Sequence, residues 1–388
     1  MFKPAVVAGS DVCQTQLLYF TSSSLSADDG TVWFLSDRDG SPNIYAQRGD
    51  AVTQYSFNRG GAMYTYVYFD GAPHRGLSKA SPCLDPASGM VYYIQDDVIL
   101  KSDGRTVTPL ASVQNGETTA FTHVSADGRL LCVPTTDGRA LAWEPNAVLY
   151  SDSTRVDRRV LAEHLCSYLN IYDTETGALL RRETVPDCWI THVQFCPADP
   201  HLILYNYEWP SVDCGFRRMH LFDGSRHYAL RQPDALCRGG DWTCHEMWSR
   251  DGSVIYYHGD YEGGGYYIGR VDPASVLAGA RPDYTEIRLP ADYRSYGHFT
   301  EGEGGLLVTD GYYRESGEED GSAYISVVQP DWKAGKTVWT PLCRHGSGWG
   351  SQDAHPHPIF NHRGDAVYFT SDADGTLKAY RVLCRLDG

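Results

Sequence analysis

Along the chain, short apolar runs alternate with tight clusters of Asp, Gly, Pro and Ser, and helical spacing is nearly absent. One unit recurs seven times: a few residues, a turn holding Asp and Gly, then an apolar strand rich in Val, Tyr and Phe. The copies read "LSADDGTVWFLSD", "CLDPASGMVYYIQD", "HVSADGRLLCVPT", "HVQFCPADPHLILYNY", "HEMWSRDGSVIYYHGD", "HFTEGEGGLLVTDG" and "HPIFNHRGDAVYFTSD". Each predicts a strand–turn–strand, because Asp-Gly supplies the positive φ that a tight connection needs.

The turns centre on Gly30, Gly89, Gly128, Asp199, Gly252, Gly305 and Gly364, with steps of 59, 39, 71, 53, 53 and 59 residues. A step of that size holds four strands and their loops. Only "DSTRVDRRVLAEHLCSYLN" (152–170) has the pattern of a helix, and it falls in the longest step. Four-stranded units repeated radially make a β-propeller, whose closure protects strand edges. The prediction is an all-β, seven-bladed propeller in one domain, 1–388, with a site at the mouth of its central channel.

Seven residues before each turn stand Ser23, Pro82, Phe121, His192, His245, His298 and His357. Four of seven equivalent slots are His, and His123 is displaced from its slot by two. In a propeller this slot opens the innermost strand. Stability alone gives no reason for imidazole there, so the set predicts a shared metal or catalytic site.

"SQDAHPHPIF" sharpens this. On an extended strand residues i and i+2 face the same way, so His355 and His357 are expected to aim at one ion. Pro356 cannot donate to a sheet ladder, which places the segment at an edge or strand entry. Neutral imidazoles suit Zn, Cu, Fe and Ni and, less strongly, Mn or Co. With Gln352 and His298 the set becomes three nitrogens and one oxygen, without carboxylate or thiolate.

Composition narrows the ligand. Net charge is −16, which disfavours nucleic acid and anionic membranes. An anionic ligand therefore needs a local cluster of cations. The eleven cysteines contain no C-x-x-C pair, no apolar run resembles a signal core, and no stretch approaches a membrane span. Together these predict free thiols and a cytoplasmic protein. Oligomeric state is not legible.

"TCHEMWSRDGSVIYY" and "AHPHPIFNHRGDAVYFTSDADG", with the spacing between them, resemble the oligogalacturonate lyases, seven-bladed propellers of bacterial pectin catabolism. The resemblance is clearest from about residue 185 onward. It implies manganese held by Gln352, His355, His357 and His298. It also implies β-elimination on short uronide oligomers, with His245 at the chemistry and Arg218, in "GFRRMH", assisting. The chain departs from the family at "VCQTQLLYF", where members carry Cys-His-Arg. It departs again at "NYEWP", where Tyr207 replaces a His.

Elimination from a uronide removes the proton on C5 beside the carboxylate and expels the oxygen on C4. A metal on that carboxylate would stabilise developing negative charge. His245 suits the base, since a neutral imidazole prevails near neutral pH. Arg218 or Arg217 suits a carboxylate in bidentate fashion, Tyr207 the proton for the leaving oxygen, and His192 the lining of the site. His74, Arg75 and Lys79 offer loop cations. Other readings are a lyase on glucuronan- or ulvan-type fragments, a hydrolase using Glu208 and Glu246, and a non-catalytic binding platform. "HGSGWG" is not a G-x-S-x-G elbow.

Overall fold

The computed structural model describes residues 2–60, 76–77, 80–141, 153–208, 218–231, 242–261, 265–290, 297–311, 324–349 and 352–384, without the side chains of residues 141, 153–155, 242 and 352. Strands dominate, and they pair into seven antiparallel sheets, six of four strands and one of five. The fold is a seven-bladed β-propeller.

The chain divides into two compact units. The first, residues 1–54, 240–272 and 284–388, carries four of the sheets. One is built from Thr15–Leu17, Val32–Ser36, Asn43–Arg48 and Ala51–Gln54, a second from Trp242–Trp248, Ile255–Asp260, Tyr266–Asp272 and Asp283–Arg288. A third joins Phe299–Glu301, Leu307–Thr309, Tyr324–Asp331 and Lys336–Arg344. In the fourth, the chain's first strand, Ala5–Ala8, pairs with its last, Lys378–Leu383, beside Ala366–Ser371 and Ile359–Phe360. The second unit, residues 55–239 and 273–283, carries the other three sheets.

The repeated turns form where the sequence places them. Gly89, Gly128, Gly252, Gly305 and Gly364 all take positive φ. In the first copy that role passes to Asp29, at φ 58°, one residue before the expected Gly30. The apolar strands bury both faces, as sheets stacked on neighbouring sheets must. Val308, Ile325, Val327, Phe360, Val367 and Phe369 form one such core, and each large apolar side chain so buried contributes roughly 1.5–3 kcal/mol. Cys83, Tyr92, Ile94, Val124, Leu131 and Val133 do the same in the second unit.

Two expectations need correction. The helix runs only over Ser153–Glu163, and Cys166–Asp173 is a strand whose alternation of Ser167, Leu169 and other buried residues fits a sheet. A second, one-turn helix, Ala274–Leu277, follows Pro273, whose fixed φ of −69° suits a helix start. All nine described cysteines are free, and burial pushes Cys83 and Cys343 up to about 12, keeping them as thiols. Among the described residues, no helix is long and apolar enough to cross a membrane.

Candidate metal centre and active site

In the first unit, His245, His298 and His357, each in its inner strand or just before it, converge with His355. One ring nitrogen from each of His298, His355 and His357 lies within 4.8 Å of the others. The three are 2%, 9% and 4% exposed, and burial holds the His355 imidazole below its usual pKa, hence neutral. Buried, convergent imidazoles are a donor set for a divalent transition metal. Nδ1 of His355 is buried with no hydrogen-bond partner among the described residues, as a ligand atom awaiting an ion would be.

His355 and His357 do not converge for the reason the sequence gives. Residues 355–358 are not strand, and His357 sits at φ 47°, in the left-handed region. The turn at His357, not strand alternation, brings the rings to 5.8 Å apart. Inner strand Ile359–Phe360 begins only afterwards, so Pro356 does stand at a strand entry. Gln352 opens a one-turn 3₁₀ helix, Gln352–Ala354, and its side chain lies outside the described residues.

Asp310 holds the centre together. It follows strand Leu307–Thr309, one step beyond the Phe299–Thr309 pair and so facing His298. Its carboxylate accepts the His298 backbone N–H at 2.6 Å, Nδ1 of the same residue at 2.9 Å, and the His357 backbone N–H at 3.1 Å. A carboxylate on Nδ1 fixes the tautomer and leaves the lone pair of Nε2 for a ligand. Burial pushes the Asp310 carboxyl up to about 6, against the pull of those hydrogen bonds. Sequence reading passed over this residue, although "TDG" closes its strand.

His245 stands beside the triad, its ring 4.2 Å from that of His298. It interrupts strand Trp242–Trp248 with a bulge between Cys244 and Met247, and its φ is 53°. Left-handed backbone at a non-glycine residue costs on the order of 1–3 kcal/mol and gathers at functional sites. Nδ1 of His245 lies 2.7 Å from the Gly297 carbonyl and 2.7 Å from Nε2 of His258. A carbonyl only accepts, so Nδ1 carries the proton and Nε2 carries the basic lone pair. Gly297 has no room for a side chain: a Cβ there would meet the Gly311 backbone at 2.4 Å.

The floor is aromatic. Phe20 touches His245, His298 and His357, stacked on the last at 5.7 Å, and Tyr19 lies 4.9 Å from His357. These two residues fall in "VCQTQLLYF", one of the segments where the chain departs from the family pattern.

In the second unit, His192, Arg218 and Glu208 form one buried network, each about 95% covered. Glu208 accepts from Asn206 at 2.7 Å, from the Thr191 hydroxyl at 2.5 Å and from Nη1 of Arg218 at 3.2 Å. Nη2 of Arg218 donates to Nδ1 of His192 at 3.3 Å. Tyr207 is close in sequence but turns into the sheet core, its ring 4.5 Å from His220, and burial raises its pKa well above the phenol range. Arg217, His74, Arg75 and Lys79 lie outside the described residues.

Two curated proteins and two solved structures that resemble this chain point the same way. It is 26% identical over 206 residues to an oligogalacturonate lyase of Dickeya dadantii and 27% over 205 residues to an oligogalacturonide lyase of Pectobacterium atrosepticum. The chain is similar to the oligogalacturonate lyases over half of its length. It spans about half the length of these curated relatives, 49% of each. Among solved structures, an oligogalacturonate lyase in complex with manganese superposes with a TM-score of 0.75 at 19% identity, over 100% of this chain and 96% of that one. The oligogalacturonate lyase of Vibrio parahaemolyticus gives 0.74 at 19%, over 100% and 98%. These two share the propeller fold. No protein-family model matches the chain.

Proposed function

We propose that this protein is a metal-dependent lyase that cleaves short oligogalacturonides by β-elimination, with manganese as its ion. The observation that carries this is the meeting of the His298, His355 and His357 donor atoms within 4.8 Å, beside a fourth imidazole poised as a base. Gln352, three residues before His355, completes the donor set in this reading. A divalent cation held there supplies positive charge to the uronate carboxylate and so acidifies the neighbouring C5–H.

His245 takes the C5 proton on Nε2, while the Gly297 carbonyl keeps hold of Nδ1–H. The electron pair left on C5 forms the C4=C5 double bond, the C4–O bond breaks, the departing oxygen takes a proton from water, and His245 then gives its own to the hydroxide so formed. Phe20 and Tyr19 exclude water from one side of the imidazoles, which keeps the base desolvated and its partners fixed. In this reading Arg218, 3.2 Å from Glu208, serves as the assisting guanidinium, with Arg217 and His192 as substrate contacts. We assign Tyr207 no step, because core packing holds its ring and a raised pKa weakens it as an acid.

The test is the ultraviolet absorbance of a conjugated unsaturated uronate on incubation with digalacturonate and trigalacturonate, with manganese or with EDTA. A metal-dependent rise that His245→Ala and His357→Ala abolish is expected. A flat trace from protein with stoichiometric metal overturns the substrate assignment and moves the search to other uronides. A flat trace from protein that binds no metal overturns the lyase reading.

A further inference from the structure

Eight non-glycine residues among those described adopt left-handed backbone, and all are Asp or His except one, Trp349 at φ 51°. Asp and His visit this region with local hydrogen bonding in their favour; a bulky indole has no such benefit. The loop is nevertheless cinched to keep it there. The Ser347 backbone N–H donates to Nδ1 of His345 at 2.9 Å, and the Ser347 hydroxyl donates to the Ala354 carbonyl. The Gly348 N–H donates to Asp372 at 2.7 Å, and the Ser371 hydroxyl to the His345 carbonyl at 2.5 Å. Strain held by so many independent bonds is retained for what the residue does.

What it does follows from where the ring lies. The indole is 4.5 Å from His355, and nearly parallel to His298, with 11° between planes at 6.4 Å. Tyr19 and Phe20 border the same imidazoles but are buried, each 4% exposed, whereas Trp349 is only half-buried. It is thus, of these three aromatic residues at the triad, the one that is not fully buried, although its indole Nε1 is.

We propose that Trp349 is a stacking platform for a galacturonate ring next to the one being cleaved, setting affinity and preferred chain length. This rests on the lyase reading. In the galacto configuration the hydrogens on C3, C4 and C5 share one face, which makes that face apolar and suited to an indole. The reacting ring cannot stack by that face, since its C5–H must meet His245. The stacked ring is therefore its neighbour in the oligomer. A gluco-configured uronide, whose ring hydrogens alternate between faces, stacks less well and loses this contact.

The experiment compares wild type with Trp349→Phe, Trp349→Leu and Trp349→Gly. Metal content, Tm and the steady-state constants on digalacturonate and trigalacturonate are measured for each. Binding of the uncleaved oligomers is read by calorimetry in a His245→Ala background. Loss of the ring should raise KM and the dissociation constant about tenfold, with kcat within about threefold and metal content unchanged. Trp349→Phe should recover most of the affinity. Trp349→Gly should keep or raise Tm while losing affinity, since glycine relieves the backbone strain.

If wild type cleaves and Trp349→Leu keeps its KM, the platform is overturned and the lyase reading stands. If the Leu and Gly variants lose metal, Trp349 is a support for His355 and the platform is overturned. If wild type binds oligomers without cleaving them, the lyase reading fails and the calorimetric ratio alone judges Trp349. Absence of both binding and cleavage overturns both.

Discussion

His298 in the first unit and His192 in the second occupy the same slot of the same hairpin. Each donates its backbone N–H to the side-chain oxygen of the residue directly opposite, Asp310 at 2.6 Å and Asn206 at 2.8 Å. That one difference sets opposite polarities. Asp310 can only accept, so it takes Nδ1–H of His298 and turns the Nε2 lone pair outward. Asn206 is neutral and spends its amide on Glu208 and Thr191. Glu208 then holds Arg218, which donates to Nδ1 of His192 and leaves the proton on Nε2. The same slot presents a ring lone pair suited to a metal in one repeat and a hydrogen-bond donor in another. A repeat supplies the position, and the residue across the hairpin supplies the chemistry.

The largest break in this comparison is His298→Ala. Removing one of three convergent nitrogens should abolish stoichiometric metal binding and lower lyase activity by at least about 10³-fold, about 4 kcal/mol of barrier. Metal analysis and initial rates check it. His192→Ala should leave metal content untouched, because that imidazole presents a donor rather than a lone pair.

Exchanging the opposing residues comes next. Asn206→Asp would set a second buried carboxylate 2.7 Å from Glu208, at the cost of a hydrogen bond that only an amide can give. Like charges at that distance, out of water, should destabilise the second unit by roughly 2–4 kcal/mol unless one takes up a proton. A fall in urea midpoint that lessens at acid pH is expected. Asp310→Asn keeps the bond to the His298 backbone but loses the charge that fixes the imidazole. Metal affinity should fall about 10–100-fold, the usual effect of removing such a partner, as read by calorimetry. Equal affinity in this variant would break the polarity argument.

Much of this was legible in the sequence, and the rest was hidden for identifiable reasons. Seven turns drawn from Asp, Gly, Ser and Pro, at steps of 39 to 71 residues, exposed the sheets because tight turns demand such residues. The His slots were legible because the repeat superposes them. Asp310 was not, because Asp closes the second strand in most repeats, as at Asp37, Asp96, Asp260 and Asp372. A signal shared by nearly every repeat singles out none. The left-handed backbones of His245, His357 and Trp349 could not be placed from the sequence, since tertiary contacts decide which residues adopt them. Phe20 and Tyr19 read as one more apolar run until the fold sets them under the imidazoles.

The smallest expected effect concerns His345, a third imidazole whose polarity a neighbour decides. The Ser347 N–H donates to its Nδ1, so the proton sits on Nε2, the arrangement of His192 and not of His298. Burial pushes its pKa down to about 4, from about 6.5 in the unfolded chain. Between those values the unfolded chain binds a proton that the native state refuses, so stability falls as pH falls from 6.5 toward 4. From pH 6.5 to 5.5 that loss comes to about 1 kcal/mol. Asp310, raised to about 6, works in the opposite sense, because the native carboxyl takes up its proton before the unfolded one does. The two groups interact, so the difference between wild type and His345→Gln reads His345 together with its effect on Asp310. Urea midpoints at the two pH values should show the variant losing about 1 kcal/mol less than wild type. Parallel losses would mean that His345 titrates normally in the native state, and that the Ser347 N–H does not set its tautomer.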